Sequence, residues 1–307
     1  MEIGIIGLPG SGKTTLFKAL TGAQPEVGTN KPNLAMARIE DGRLDQVAAI
    51  ERSAKVTPAA LRVLDAAGTS AAQVGTLRRA DALIAVLDAF SLGADPSSDL
   101  VALELELLLA DREHVERRLE RAQKEAKSGE PERKREVERL EAALAHLEGE
   151  QPLRGFPNEL PAQLEPLTTK PLVVVENGPS GIDAKLEVEL ADLPPEEAAE
   201  FRNGPRALDE ILRRLMAGLD QLTFFTAGDT EARSWTLRRG QTALDAAAEI
   251  HTDIARGFVR CEVIRWSDLV GCGSRAEAAR RGLQRLEGKG YVVEDGDVLN
   301  IRFTPPR

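Results

Sequence analysis

At 307 residues, with 42% hydrophobic and 29% charged residues, the chain is long enough for two or three domains and has an ordinary water-soluble composition. No apolar run reaches the roughly 18 residues of a membrane span and nothing at the N-terminus reads as a signal peptide, so a cytoplasmic protein with no membrane partner is expected. A formal net charge of −10 argues against wholesale nucleic-acid coating, and two cysteines, Cys261 and Cys272, without C-x-x-C spacing argue against a metal site or disulfide framework.

Ile3, Ile5 and Ile6 read as a buried strand, and residues 15–21 as the start of a helix. Between them Gly7-Leu8-Pro9-Gly10-Ser11-Gly12-Lys13-Thr14 fills every fixed position of G-x-x-x-x-G-K-[ST]. Glycines at 7, 10 and 12 let backbone amides wrap phosphate oxygens at the positive end of the helix. Lys13 is expected to bridge the β- and γ-phosphates, and the Thr14 hydroxyl to hold Mg²⁺. The candidate nucleotide-binding set is therefore Gly7, Pro9, Gly10, Ser11, Gly12, Lys13, Thr14 and Thr15. The bland alternative is a glycine-rich turn, and the strand-to-helix context speaks against it.

A polar segment, 23–33, carries Thr29. Residues 34–39 read as a strand, 43–54 as a helix and 61–64 as another strand. The last runs into Asp65-Ala66-Ala67-Gly68, a D-x-x-G pattern where an aspartate reaches the metal through water and the glycine senses γ-phosphate. Residues 83–87 form a continuous apolar strand of the kind a doubly wound parallel sheet requires.

From residue 98 the character changes. Val115, Leu119, Val137, Leu140, Leu144 and Leu147 recur at helical spacing among dense mixed charges, and residues 127–131 interrupt them, which predicts a two-helix antiparallel hairpin. Arg117, Arg118, Arg121, Lys124, Arg133, Lys134 and Arg135 gather toward its tip with glutamates interleaved. They read either as a solvated face or as a nucleic-acid contact. Residues 171–177 return to strand character, so the hairpin is an insertion. Residues 194–197 cap a further helix. The tail is read as strands at 222–226, 232–237, 258–266, 291–293 and 298–303, a helix at 242–250, and a turn at 294–297.

Phe224-Phe225-Thr226-Ala227-Gly228, Trp235-Thr236-Leu237-Arg238-Arg239-Gly240, His251-Thr252-Asp253 with Arg256-Gly257-Phe258, and the stretch from Leu286 to Val298 resemble the tail of the YchF-type, Obg-related GTPases. With the phosphate loop and the hairpin in the same order, the resemblance covers most of the chain. It implies an α/β fold: a Ras-like P-loop domain in two parts (1–97 and 168–218), an inserted antiparallel helical hairpin (98–167) and a C-terminal β-grasp TGS module (219–307). It also implies Mg²⁺-dependent hydrolysis of ATP or GTP, a link to ribosomes or translation stress, and RNA or ribosome contact through the hairpin and the TGS module. Thr29 resembles the first-switch threonine that binds Mg²⁺. Lys13, Asp65 and Gly68 stand as the catalytic set.

The departures are specific. The family's base-reading motif is N-x-x-E; Asn177 fills its first place, but Ser180 replaces the glutamate and cannot accept paired donors from a guanine. Asn177-Gly178-Pro179-Ser180 reads either as base contact or as a plain turn. Asp183-Ala184-Lys185 resembles the family's S-A-K loop but follows Asn177 too closely for a crossover. Thr69 follows Gly68 where many Ras-like GTPases carry a glutamine. Two readings result: a slow nucleoside triphosphatase, or a nucleotide-gated binding module with little hydrolysis. In the tail, Arg238, Arg239, His251 and Arg256 read as a partner-facing patch or as a salt-bridged surface.

Overall fold

The computed structural model describes residues 1–26, 32–66, 71–128, 130–202 and 206–305. Its first elements are β1 (Glu2–Ile6), α1 (Lys13–Thr21), β2 (Asn33–Arg38), α2 (Gly42–Glu51), β3 (Lys55–Thr57), β4 (Ala60–Asp65), α3 (Ala71–Leu77) and β5 (Ala82–Asp88). Next come α4 (Pro96–Glu125), α5 (Pro131–Glu148), β6 (Leu172–Asn177), α6 (Ala184–Leu190), α7 (Pro195–Glu200) and α8 (Ala207–Gly218). The chain closes with β7 (Gln221–Ala227), β8 (Glu231–Arg238), α9 (Ala243–Ile250), α10 (Thr252–Arg256), β9 (Phe258–Arg265), α11 (Trp266–Cys272), α12 (Arg275–Arg280), β10 (Arg285–Glu287) and β11 (Asp297–Phe303). These elements fall into two compact units, residues 1–37 with 62–211 and residues 38–61 with 212–307.

The first unit is built on a five-stranded sheet in the order β2-β4-β1-β5-β6. β1 runs parallel to β4 and β5, and β5 runs parallel to β6. Residues from Ala82 to Leu87 are all buried, which is why β5 reads as an unbroken apolar run rather than an alternating one. The sheet ends at β6, because residues 178–183 form a tight turn (Gly181 N to Gly178 O, 3.1 Å; Gly178 N to Ile182 O, 2.9 Å) that leads straight into α6. The short connection expected from the sequence leaves no room for another crossover strand.

α4 starts where the Asp95 carboxylate accepts from Ser97 N and Ser98 N, with Pro96 in the first turn. Leu108, Val115, Leu119 and Ala122 pack with Leu140, Ala143 and Leu147 of α5, giving the hairpin its own core. Each fully buried leucine there contributes about 1.5–3 kcal/mol. The basic cluster toward the tip is matched by its own glutamates: Arg118 meets Glu136 at 2.6 Å, and Arg133 meets Glu125 at 2.9 Å and Glu130 at 2.7 Å.

The second unit is a six-stranded sheet in the order β10-β9-β11-β7-β8-β3. β7 and β8 form an antiparallel hairpin, β11 lies parallel to β7, and β9 lies antiparallel to β11. A first hairpin, a helix and a last strand that pairs in parallel with the first are the β-grasp arrangement. α9 begins at a capping box made by Thr242 and Asp245, and its small buried face of Ala243, Ala246 and Ala247 lets it sit close on the sheet.

Several local expectations are corrected. Residues 291–293 are not a strand: Val292 makes a single bridge to Thr242, and the neighbouring backbone groups serve the start of α9 (Ala243 N to Tyr291 O, 2.8 Å; Val293 N to Gln241 O, 3.1 Å). The edge place beside β9 goes to β10. Trp266 opens α11 rather than ending a strand, and α2 stops at Glu51 because Arg52 turns left-handed (φ 55°). Residues 71–77, where the sequence suggests no element, form α3. Sequence order also gave no sign that residues 38–61 belong with the tail. There Leu44, Val47 and Ala48 of α2 pack with Phe225, Ala232, Ile264 and Leu269, and β3 adds in parallel to β8.

Candidate functional site

The phosphate-loop sequence closes as a turn, with Ser11 N donating to Leu8 O at 3.2 Å. Gly7 and Gly12 hold backbone that no side chain tolerates. A Cβ at Gly7 would stand 2.4 Å from the Val86 carbonyl, and one at Gly12, where φ is +93°, would stand 2.2 Å from the Asn177 amide. Gly12 is the N-cap of α1 and supplies no capping side chain, so the first-turn amides of Lys13, Thr14 and Thr15 have no side-chain acceptor. Unsatisfied amides at a helix start favour an anion, and the sequence reads this one as a phosphate cradle.

Lys13 Nζ donates to the carbonyls of Gly7 and Leu8, both at 2.8 Å, so the ammonium folds back over its own loop. Burial pushes this group below the usual lysine range, against the opposing pull of the Asp65 and Glu106 carboxylates. A further anionic partner would relieve that penalty.

Asp65 ends β4 with its side chain 1% exposed. Its Oδ2 accepts from Thr14 Oγ1 at 2.9 Å and from Asn33 Nδ2 at 3.4 Å, while Oδ1 is buried without a hydrogen-bond partner. The Ser11 hydroxyl is likewise buried and unpartnered. A buried carboxylate with an orphaned oxygen beside a threonine hydroxyl is a donor set suited to a hard divalent cation such as Mg²⁺. Asn33 was not anticipated; a lone asparagine at the start of a strand carries no signal of its own.

Asn177 donates from Nδ2 to the Ser11 carbonyl at 3.0 Å and accepts from Ala184 N through Oδ1 at 3.2 Å. The side chain therefore ties the phosphate loop to the first turn of α6. Asp183 caps α6 through Leu186 N at 2.9 Å, and Ser180 sits in the exposed turn. Thr29, Gly68 and Thr69 lie outside the described residues. On the α4 side of Lys13 and Gly7 a cavity of about 810 Å³ opens between α3 and α4, walled by Val74, Leu77, Leu103, Glu106, Leu107 and Leu167 among others.

The charged groups singled out in the tail are largely paired. Arg239 meets Asp220 at 3.2 Å, Arg256 meets Asp253 at 3.6 Å, and His251 Nδ1 accepts from Asp253 N at 3.1 Å. Phe258 is buried in the core, and Trp235 stacks on Phe224 beneath Arg233, with Nε1 donating to Thr226.

A parallel sheet with this loop between β1 and α1, and an acidic residue at the end of β4 facing the loop threonine, defines a P-loop nucleotide-binding protein of the GTPase type. Among the described residues no helix is long and apolar enough to cross a membrane. The family model described as 50S ribosome-binding GTPase matches residues 2–131, and that for the C-terminal part of YchF GTPases, described as a protein of unknown function (DUF933), matches residues 222–304. The Ribosome-binding ATPase YchF of Bacillus subtilis is 35% identical, with 99% of each chain covered. The protein of the same description from Haemophilus influenzae is 34% identical over 98% of this chain and 99% of its own. The structure of the Schizosaccharomyces pombe YchF GTPase superposes with a TM-score of 0.82 at 27% identity, covering 98% of this chain and 97% of that one. The chain belongs to the YchF family. The Bacillus alignment spans 362 positions against 307 residues here, so that relative carries segments of several tens of residues that this chain lacks.

Proposed function

We propose that the protein is a Mg²⁺-dependent P-loop nucleoside triphosphatase of the cytoplasm that binds ATP or GTP and associates with ribosomes; its bacterial relatives carry the name ribosome-binding ATPase. The observation that carries the reading is the pairing of the Thr14 hydroxyl with Asp65, whose second oxygen is buried and unpartnered, at the uncapped start of α1. In this reading the amides of Gly10 to Thr15 hold the phosphates. Lys13 exchanges the Gly7 and Leu8 carbonyls for β- and γ-phosphate oxygens, which returns an anionic partner to a buried ammonium. Thr14 and Asp65 would hold Mg²⁺, with Thr29 and Gly68 assigned to the metal and the γ-phosphate. When bound, the cation neutralises charge developing on the phosphoryl oxygens.

Asn177 acts as a brace in this scheme, because its amide donor and its acceptor are both engaged by backbone. Base choice therefore does not run through it. Residues 98–167 are assigned to an inserted hairpin and residues 219–307 to a TGS module, the two parts through which ribosomal RNA or protein would be met. Calorimetric titration of nucleotide-free protein with ATP and GTP, with and without Mg²⁺, tests the assignment. Saturable binding of both, tightened by Mg²⁺ and lost in Lys13→Ala, is expected; no binding of either by folded protein refutes it.

A further inference from the structure

Arg78 and Asp111 lie outside the loop that holds phosphate, yet they form the most thoroughly satisfied charged pair among the described residues of the first unit. Their side chains are 7% and 1% exposed, and Arg78 Nη1 meets Asp111 Oδ1 at 2.6 Å. Arg78 Nη2 donates to the Ala110 carbonyl at 2.7 Å. Asp111 also accepts from Leu167 N at 2.9 Å, Thr168 N at 2.8 Å and Thr168 Oγ1 at 2.8 Å. The Thr168 hydroxyl in turn accepts from Leu153 N at 3.0 Å. One buried carboxylate thus gathers the end of α3, a turn of α4 and the turns at 153–155 and 167–169.

Apolar packing could hold these segments together at no greater cost, since buried ion pairs are often replaceable by hydrophobic residues without loss of stability. What a saturated ionic network adds is a single register. α3 needs one. It follows the strand that delivers Asp65, and Val74 and Leu77 border the cavity of about 810 Å³ that also reaches Gly7 and Lys13. Leu77 packs into the core under the sheet and Val74 lies against it, but the cavity leaves the α4-facing side of α3 open, and the polar anchorage on that side is at Arg78, immediately beyond the last turn of α3.

We infer that Arg78 and Asp111 are positioning residues: their ion pair is the fixed point from which α3 is set against the phosphate loop, and through which a change in α3 is passed to α4 and the base of the hairpin. This rests on the nucleotide-binding reading above and adds to it a route from the bound phosphate to the hairpin. Neither residue touches substrate.

The test is amide hydrogen exchange on the full-length protein with and without MgATPγS, in the wild type, Arg78→Lys and Asp111→Asn. Lysine keeps the charge but cannot bond the Asp111 carboxylate and the Ala110 carbonyl in Arg78's planar fork. In the wild type, nucleotide should slow exchange in residues 7–15 and also, by about tenfold or more, in residues 107–115 and 164–168. In Arg78→Lys the protection of 7–15 should persist while the response of 107–115 and 164–168 falls away. A merely structural pair would raise basal exchange and leave the nucleotide-induced difference unchanged. That result overturns the inference while leaving the nucleotide site standing. Absence of protection at 7–15 in the wild type overturns both. Should Asp111→Asn fail to fold, Arg78→Lys decides alone.

Discussion

Replacing Asn177 by alanine separates a brace from a base reader. The substitution removes two hydrogen bonds, Nδ2 to the Ser11 carbonyl at 3.0 Å and Ala184 N to Oδ1 at 3.2 Å. Each is worth about 0.5–1.5 kcal/mol net, and the half-buried backbone groups left behind add to the loss, so about 2 kcal/mol is expected. For a unit of this size about 2–4 °C is lost per kcal/mol, which puts the fall in Tm at about 4–8 °C. Because the Ser11 carbonyl belongs to the phosphate loop, ATP and GTP affinities should fall together and by the same factor. Thermal unfolding followed by circular dichroism, with parallel titrations of both nucleotides, measures all three quantities. An unchanged Tm with intact affinities would refute the brace. A loss confined to one nucleotide would show that Asn177 reads the base after all.

Lys13→Ala should abolish tight triphosphate binding without lowering Tm, since burial already disfavours the lysine's charge; a clear drop in Tm would contradict that account. Gly12→Ala combines a φ of +93° with a Cβ 2.2 Å from the Asn177 amide, so it should cost about 1–3 kcal/mol and loosen nucleotide binding, read by the same two assays. Asp65→Asn should remove the Mg²⁺ dependence of nucleotide affinity while leaving Mg²⁺-free binding in place, as titration with and without the cation will report. Burial raises the Asp295 pKa, but the hydrogen bonds from Arg43 and Thr223 N outweigh it and hold the carboxyl below its usual range. Its stabilising effect is thus present above the unfolded value of about 4 and lost as pH falls through the folded one. Asp295→Asn should lower Tm at pH 7, and the gap to the wild type should close in acid.

What was legible in the sequence is what is local. The phosphate loop, Asp65 and the hairpin each announce themselves within a few turns of chain, through fixed glycines, an acidic residue closing an apolar strand, or leucines at helical spacing. What escaped depends on partners far away. β3 is three residues long with Lys55 and Val56 exposed, so it has no alternation to read, and its place is set by β8 some 175 residues on. α3 carries alanines and a glycine that resemble a loop, and its end is fixed by Asp111. Tyr291-Val292-Val293 has strand composition, but Ala243 and Gln241 claim its hydrogen bonds. Asn177 reads from sequence as a base contact or a plain turn; only geometry shows its amide engaged at both ends, by Ser11 O and Ala184 N.

The membership of residues 38–61 in the second unit has a consequence for how the chain is made. α2 leaves the ribosome early, with Leu44, Val47 and Ala48 on one face, but Phe225, Ala232, Ile264 and Leu269 are synthesised last. Until then that apolar face has nothing to cover it, and the segment linking β2 to β4 belongs to a unit not yet fully synthesised. Folding during synthesis therefore cannot run unit by unit from the N-terminus, as it does in many multidomain proteins. A chain cut at residue 211 would be more than a nucleotide-binding unit lacking its tail; it would carry an orphaned helix with an exposed apolar stripe, prone to aggregate.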